Sequence, residues 1–414
     1  MNVLFLTLLD FSTIDENGIY TDLMREFVKD GHDIYIVSPT EKRKNEPTRL
    51  IDNGKVKILK LQIGNTQKTN LIEKGISTLT LESKFKSGIK KYFDDVKFDL
   101  VLYSTPPITL QKAVEFVKLR DQAKTYLLLK DIFPQNAVDL GMLKTSGIKS
   151  LIYKSFRDKE RRLYKISDYI GCMSNANVEF LLKHNPSIPN EIIEVCPNSI
   201  EPIDVEISEY KKKQVRKKYN IPIDKTIFIY GGNLGKPQGI DFLINCIRAN
   251  EDNENSYFFI VGSGTEFGKL ENFFEREKPK NAMLRSQLPR NDYEILANTC
   301  DVGLIFLDRR FTIPNFPSRL LSYMQASMPV LAATDINTDI GKVIESGSFG
   351  YWCESVDVDK FIQLVNKLCD QELRIGLGRN ARYYLENHYT AKHSYEIIIS
   401  HFNPELFIDF QKTS

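Results

Sequence analysis

Residues 226–240 read TIFIYGGNLGKPQGI. Five β-branched or aromatic residues run into glycines at 231, 232, 235 and 239, and a helical pattern starts near Ile240. A buried strand passing through glycine into a helix opens a βαβ unit. Glycine lets backbone come close to a ligand, and exposed N–H groups can cradle a phosphate. A helix starting beside Gly239 would add the positive end of its dipole. Taken alone, the pattern fits such a cradle and an ordinary βα turn equally well.

The same grammar extends in both directions. Downstream, strands are expected at 257–261, 302–307 and 329–332. Upstream lies a polar, basic stretch, EYKKKQVRKKYN at 209–220. Before it the alternation runs from the first residues. Residues 3–9 read as a strand, and Ile19, Leu23, Met24, Phe27 and Val28 recur at helical spacing. Gly31 stops that helix, and DIYIVS at 33–38 is the next strand. Further strands are expected at 56–61, 100–104, 125–129 and 169–173. Strands alternating with helices imply parallel sheets, so the fold class is α/β with two Rossmann-like, doubly wound halves. The restart places the boundary between 197 and 215. Ligands in such sheets bind beyond the carboxyl ends of the strands, so a central cleft that the two halves face is the expected site.

Composition supports a globular chain. Of 414 residues, 42% are hydrophobic and 27% charged, which excludes a disordered chain. The net charge of +2 lacks the basic excess of a nucleic-acid binder. The six cysteines are scattered, without a C-x-x-C pair, so neither a zinc site nor a disulfide framework is expected. The opening MNVLFLTLLD has no basic n-region, and no stretch reaches the roughly 18 apolar residues of a span. A cytoplasmic protein is expected. Two basic amphipathic stretches, 68–91 and 144–165, offer a peripheral face for an anionic membrane or, equally, solvated helix faces.

Three more segments carry candidate chemistry. PNFPSRLLSYM at 314–324 puts Pro317 in the first turn of an expected helix, with Ser318 and Arg319 beside it. A cation there opposes the helix dipole by about 0.3–1 kcal/mol. A docked diphosphate would turn that mismatch into attraction, whereas the plain reading pairs Arg319 with a nearby carboxylate. Asp131 in LLLKDIFPQN follows a predicted strand, where it would meet an acceptor hydroxyl or simply cap a turn. The turn at 10–18, with Gly18 and Tyr20 opening the next helix, lacks the G-x-G-x-x-G of a dinucleotide binder. Asp357-Val358-Asp359 looks like a metal-binding pair but opens a helix, so no metal role is assigned. His32, in the turn GHD before a strand, is read as structural.

In order along the chain, GIYTDLMREFVKDGHDIYIVSP, DIFPQNAVDLGML, SDYIGCMSNAN, PNSI, YGGNLGKPQGID, FFIVGSGTE, CDVGLIFL and PNFPSRLLSYMQASMPVLA resemble family-4 retaining glycosyltransferases of the GT-B fold. The likeness is greatest to the WbuB-like subgroup of bacterial capsule and O-antigen synthesis. The resemblance implies an acceptor-side domain over 1–197 and a nucleotide-sugar domain over 198–388. A last segment, 389–414, would cross back by a helix around 391–402. It implies a UDP-sugar donor, with an N-acetylated or deoxy amino sugar, and a lipid-linked saccharide acceptor. Neither metal nor cofactor is implied.

Carried over by position, the loop of Gly231 and Gly232 would face the donor phosphates. Ser318 and Arg319 would hold the diphosphate, and Arg285 would lie near the base. Asp131 would stand on the acceptor side with Gly18 and Tyr20. The sequence departs from the broader family in places. Asn233 and Gln238 replace the Arg and Lys of the family's G-R-L…K-G loop. Lys236 offers partial compensation, and more of the phosphate charge rests on Arg319. Pro314 and Ser322 replace the family's two glutamates, so Ser322 offers the donor ribose one hydroxyl instead of a carboxylate. The implied chemistry is sugar transfer with retention, Asp131 orienting the acceptor hydroxyl and donor phosphate taking its proton. Two alternatives stay open: a nucleotide-sugar epimerase of the same fold, which needs an acid–base pair flanking the sugar, and a non-catalytic binding subunit.

Overall fold

In the computed structural model the alternating pattern folds into two α/β units. One comprises Met1–Glu201 with the segment from Ala391 onward, the other Pro202–Thr390. The structure describes residues 1–65, 71–147, 150–204 and 207–402, with backbone alone at 71–79.

The first unit is built on an eight-stranded sheet. Its strands are β1 (Asn2–Leu6), β2 (Asp33–Glu41), β3 (Arg49–Asp52), β4 (Val56–Ile63), β5 (Leu100–Ser104), β6 (Lys124–Leu129), β7 (Tyr169–Cys172) and β8 (Ile193–Val195). They lie in the order β3-β4-β2-β1-β5-β6-β7-β8. All pair in parallel except β3, which runs antiparallel to β4. Helices cover both faces, so the central strands are apolar throughout rather than alternating. Leu4 and Leu6 pack with Val101 and Tyr103 on one face. Val3 and Phe5 pack with Leu102 and Ile398 on the other. The helix Ala391–Ser400 belongs to that second face. Tyr395 sets its ring edge against Phe27 with centroids 4.8 Å apart, donates to the Asp30 carboxylate, and meets His32 Nε2 at 3.0 Å. His32 is thus part of a helix-docking joint.

The second unit has a six-stranded parallel sheet: β9 (Thr226–Asn233), β10 (Ser256–Ser263), β11 (Ala282–Ser286), β12 (Val302–Phe306), β13 (Val330–Thr334) and β14 (Gly350–Glu354). Its order, β11-β10-β9-β12-β13-β14, is the 3-2-1-4-5-6 order of a Rossmann domain. Phe228, Tyr230, Phe258, Ile260, Leu304 and Phe306 build its core with Phe361. Strand order reverses beside β9 in this unit and beside β1 in the first. At each reversal the following loops splay apart and leave a crevice at the carboxyl ends.

Several local expectations shift. The strand expected at 3–9 stops at Leu6, while the strand at 226–230 continues through both glycines to Asn233. Pro317 does not sit inside the helix: Ser318 is the N-cap of Arg319–Gln325, and Pro317 precedes it. Asp357 caps its helix, accepting from the Lys360 N–H at 2.8 Å. Of the basic stretch 68–91, residues 68–70 and the side chains of 71–79 lie outside the described residues. The rest of that helix turns Leu81, Phe85 and Ile89 into the core. In the stretch 144–165, Lys149 lies outside the described residues, and Leu151 and Ile152 stand exposed on the helix Ser150–Ile166.

Candidate functional site

The crevice beside β9 is built by backbone first. β9 and β10 pair in register as far as Gly262 with Gly232 and Ser263 with Asn233. A Cβ on Gly262 would lie 1.9 Å from the Gly232 carbonyl oxygen, so only glycine permits this approach. The loop then folds over itself. The Gln238 carboxamide oxygen accepts from Asn233 Nδ2 at 3.1 Å and from the Gly235 N–H at 3.0 Å. Gln238 is buried, while Gly232, Asn233 and Lys236 are exposed. The loop also leans on the segment after β12, where the Asp308 N–H donates to the Pro237 carbonyl at 2.9 Å. Gln238, expected to touch a donor, turns inward as the brace of its own loop.

Arg319 reaches this loop from the start of its helix. Its guanidinium lies 4.2 Å from the centroid of the Tyr230 ring. A Cβ on Gly232 would sit 3.6 Å from Nη2. Nη1 is buried with no hydrogen-bond partner. The plain reading, an arginine paired with a carboxylate, therefore fails: tyrosines surround the side chain. The Tyr293 hydroxyl would come within 2.0 Å of a Cβ on Gly231. The Tyr323 hydroxyl donates to the carbonyls of Ile229 (3.2 Å) and Leu304 (3.0 Å), tying the Arg319 helix to β9 and β12. Burial pushes the Tyr293 phenol up to about 12 and that of Tyr230 above its ordinary value. The three stay neutral: Tyr230 offers Arg319 its ring face, and none of them offers a counter-charge. A cation with an unsatisfied buried donor, beside exposed glycine backbone, is arranged to receive an anion.

Ser318 and Ser322 are exposed on the same short helix. Arg285 is placed differently. It stands on the edge strand β11, two strands from β9, and donates to the Tyr219 carbonyl at 3.4 Å, while its Nε is buried without a partner. The structure brings Gly231, Gly232, Asn233 and Arg319 together and leaves Arg285 at the margin of the sheet.

In the first unit the crevice lies between the ends of β1 and β5. Tyr20 packs on Phe5 with centroids 5.1 Å apart. Burial raises its phenol to about 12, against a hydrogen bond with Ser104. The Gly18 N–H donates to Asp22 Oδ1 at 2.7 Å, so Asp22 caps that helix from within. Asp131 follows β6. Thr105 Oγ1 accepts from the Asp131 N–H at 3.2 Å and donates to its carbonyl at 3.1 Å, fixing the backbone. Asn136 Nδ2 donates to both carboxylate oxygens at 2.9 Å. Burial nonetheless raises the carboxyl to about 6, the Asn136 bond only partly opposing it. A carboxyl that titrates near neutrality at the carboxyl end of a sheet is suited to handling a hydroxyl proton.

Two features escaped sequence reasoning. The tyrosines around Arg319 come from three separate segments. The turn after β1 is pinned by Lys60, only 1% exposed on β4, whose ammonium donates to the Asp10 carboxylate and to the Phe11 carbonyl at 3.1 Å. Burial acts to raise the Asp10 carboxyl, but hydrogen bonds from Lys44 and Lys60 outweigh it and hold the group below its usual value. A lysine inside an apolar strand, VKILKLQI, was the available signal.

Residues 211–384 match the family model described as Glycosyl transferases group 1. The matched stretch holds the glycine loop, Arg285 and the Arg319 helix. The chain carries a glycosyltransferase domain, and its two Rossmann-like units give it the GT-B fold. It is 24% identical over 337 residues, 80% of each chain, to the probable glycosyltransferase WbjE of Pseudomonas aeruginosa. Its fold is similar to that of HepE of Anabaena, solved in complex with UDP and glucose: TM-score 0.68, 14% identity, 98% of this chain and all (100%) of that one. It is also similar to WaaG, a glycosyltransferase involved in lipopolysaccharide biosynthesis: TM-score 0.63, 15% identity, 96% and 99% of the two chains.

Proposed function

We propose that the protein transfers a sugar, with retention, from a UDP-sugar to a lipid-linked saccharide during capsule or O-antigen synthesis. The observation that carries this reading is Arg319: a cation at a helix start, its Nη1 buried without a partner, beside the exposed backbone of Gly232. That arrangement lacks an anion, and a departing diphosphate supplies one. UDP in HepE and the lipopolysaccharide role of WaaG support the donor class and the pathway class.

The chemistry follows from charge. Leaving-group departure puts negative charge on the diphosphate, and preorganised N–H groups with Arg319 stabilise it without a metal. Asp131 orients the acceptor hydroxyl, and donor phosphate accepts its proton. Asn233, Lys236, Ser318 and Ser322 contribute neutral or mobile contacts to the donor. The amino-sugar class of donor rests on the resemblance to the WbuB-like subgroup. Leu151 and Ile152, exposed among Lys154, Arg161 and Arg162, supply a face for an anionic membrane that would carry the lipid-linked acceptor.

Thermal shifts with UDP, GDP, CDP and TDP, with and without a chelator, test the donor site. A shift with UDP that survives chelation is the expected result. No shift with any diphosphate would remove the transferase reading in favour of a non-catalytic subunit. Conversion of the UDP-sugar to an epimer without acceptor would favour the isomerase.

A further inference from the structure

The second unit carries a cavity of about 850 Å³ away from the glycine loop. Thr226 opens β9, Asp301 stands just before β12 and Pro329 just before β13, and all three line it. In a parallel sheet these are the amino ends of the strands, so the cavity lies at the opposite end from the donor crevice.

Its charge is unbalanced. Five cationic and three acidic side chains line it. Arg216 is neutralised by Asp301 at 2.8 Å and Lys212 by Glu209 at 2.9 Å. Three cations then face one remaining carboxylate, the exposed Asp224. Arg374 Nη1 donates to Thr226 Oγ1 at 3.2 Å and to the Leu368 carbonyl at 2.8 Å, and Lys225 donates to the Asn281 side-chain oxygen. These partners are neutral and hold the cations in place without cancelling their charge. Arg374 also lies in the first turn of the helix Gln371–His388, where a cation opposes the dipole. Lys213 stands exposed at the rim. Fixed, uncompensated cations in a concave, partly enclosed site focus positive potential on whatever enters it. The wall formed by Ala326, Ser327, Met328 and Pro329 follows directly on the helix that carries Arg319.

We propose that this cavity is a second anion site, taking a small phosphate-bearing molecule on Arg374, Lys225 and Lys213. It does not depend on what the donor crevice binds. Thermal shifts of the full chain, titrated with inorganic phosphate and separately with glycerol 3-phosphate, test it, each with and without saturating UDP. A phosphate shift that persists with UDP is expected. Lys213→Glu and Arg374→Gln should each raise the half-saturating concentration about tenfold, as for a lost charge-assisted contact, with the shift caused by UDP unchanged. Lys213 is at the surface, so its variant keeps the test decisive if Arg374→Gln does not fold. Tighter binding of glycerol 3-phosphate assigns an organic phosphate, and equal binding assigns the phosphate group alone. A phosphate shift abolished by UDP, or unchanged in Lys213→Glu, overturns the proposal.

Discussion

At the scale of residues, burial sets the two groups on which the proposed mechanism rests. Arg319 keeps its charge among neutral phenols, with its Nη1 left without a partner. Arg319→Ala is expected to lower turnover by roughly 10²-fold or more, as for a lost oxyanion donor. Near-normal kcat in a variant with native circular dichroism would sink that role. Asp131 titrates near 6, up from 3.8. The folded state therefore binds this proton more tightly than the unfolded chain. The stability it contributes is full below about pH 4 and lost as pH rises through about 6. Asp131→Asn should thus leave the neutral-pH unfolding temperature unchanged or raised. Activity should behave oppositely. Wild-type kcat/KM is expected to fall as pH drops through about 6, and the Asn variant to be slow throughout without that limb. A wild-type profile flat across this range would separate Asp131 from the proton-dependent step.

At the scale of elements, the glycine loop is held by close strand contact and by Gln238, not by its own propensity. Gly262→Ala would force the β10 backbone away from Gly232. The overpacking should cost about 1–3 kcal/mol and weaken UDP binding, measured by denaturation and by titration on one sample. Unchanged binding would show that the loop does not contact the donor. The strand assignments follow the same physics. Central strands such as LVLYS and TIFIY are apolar on both faces, and local sequence reveals them. The four strands it did not reveal, β3, β8, β11 and β14, all lie at sheet edges. An edge strand is paired on one side only and tolerates polar residues such as those of RLID and AMLRS, so no apolar run marks it.

At the scale of the whole molecule, two cores each support a crevice of their own. The Rossmann order of the second unit presents the glycine loop and Arg319 on one crevice. The first unit presents Tyr20 and Asp131 and closes its far face with the helix Ala391–Ser400. Among the described residues no helix is long and apolar enough to cross a membrane. The membrane face proposed above centres on the pair Leu151 and Ile152, 65% and 53% exposed. Replacing both by serine is expected to reduce co-sedimentation with anionic vesicles while leaving stability unchanged. Equal recovery with neutral and anionic vesicles would count against a membrane face.

The α/β class, the glycine turn after β9, and the positions of Arg319 and Asp131 at element ends are legible in the chain, because apolar period, glycine and proline are local signals. What surrounds those residues came from the folded arrangement. Tyr230 and Tyr293 meet Arg319 from segments far apart in the chain, while Tyr323 stands one turn along the same helix. Gln238 is a brace, Arg285 sits at a sheet margin, and Lys60 reaches Asp10 across two strands. Desolvation and pairing depend on what the fold brings close, and spacing along the chain does not encode that distance.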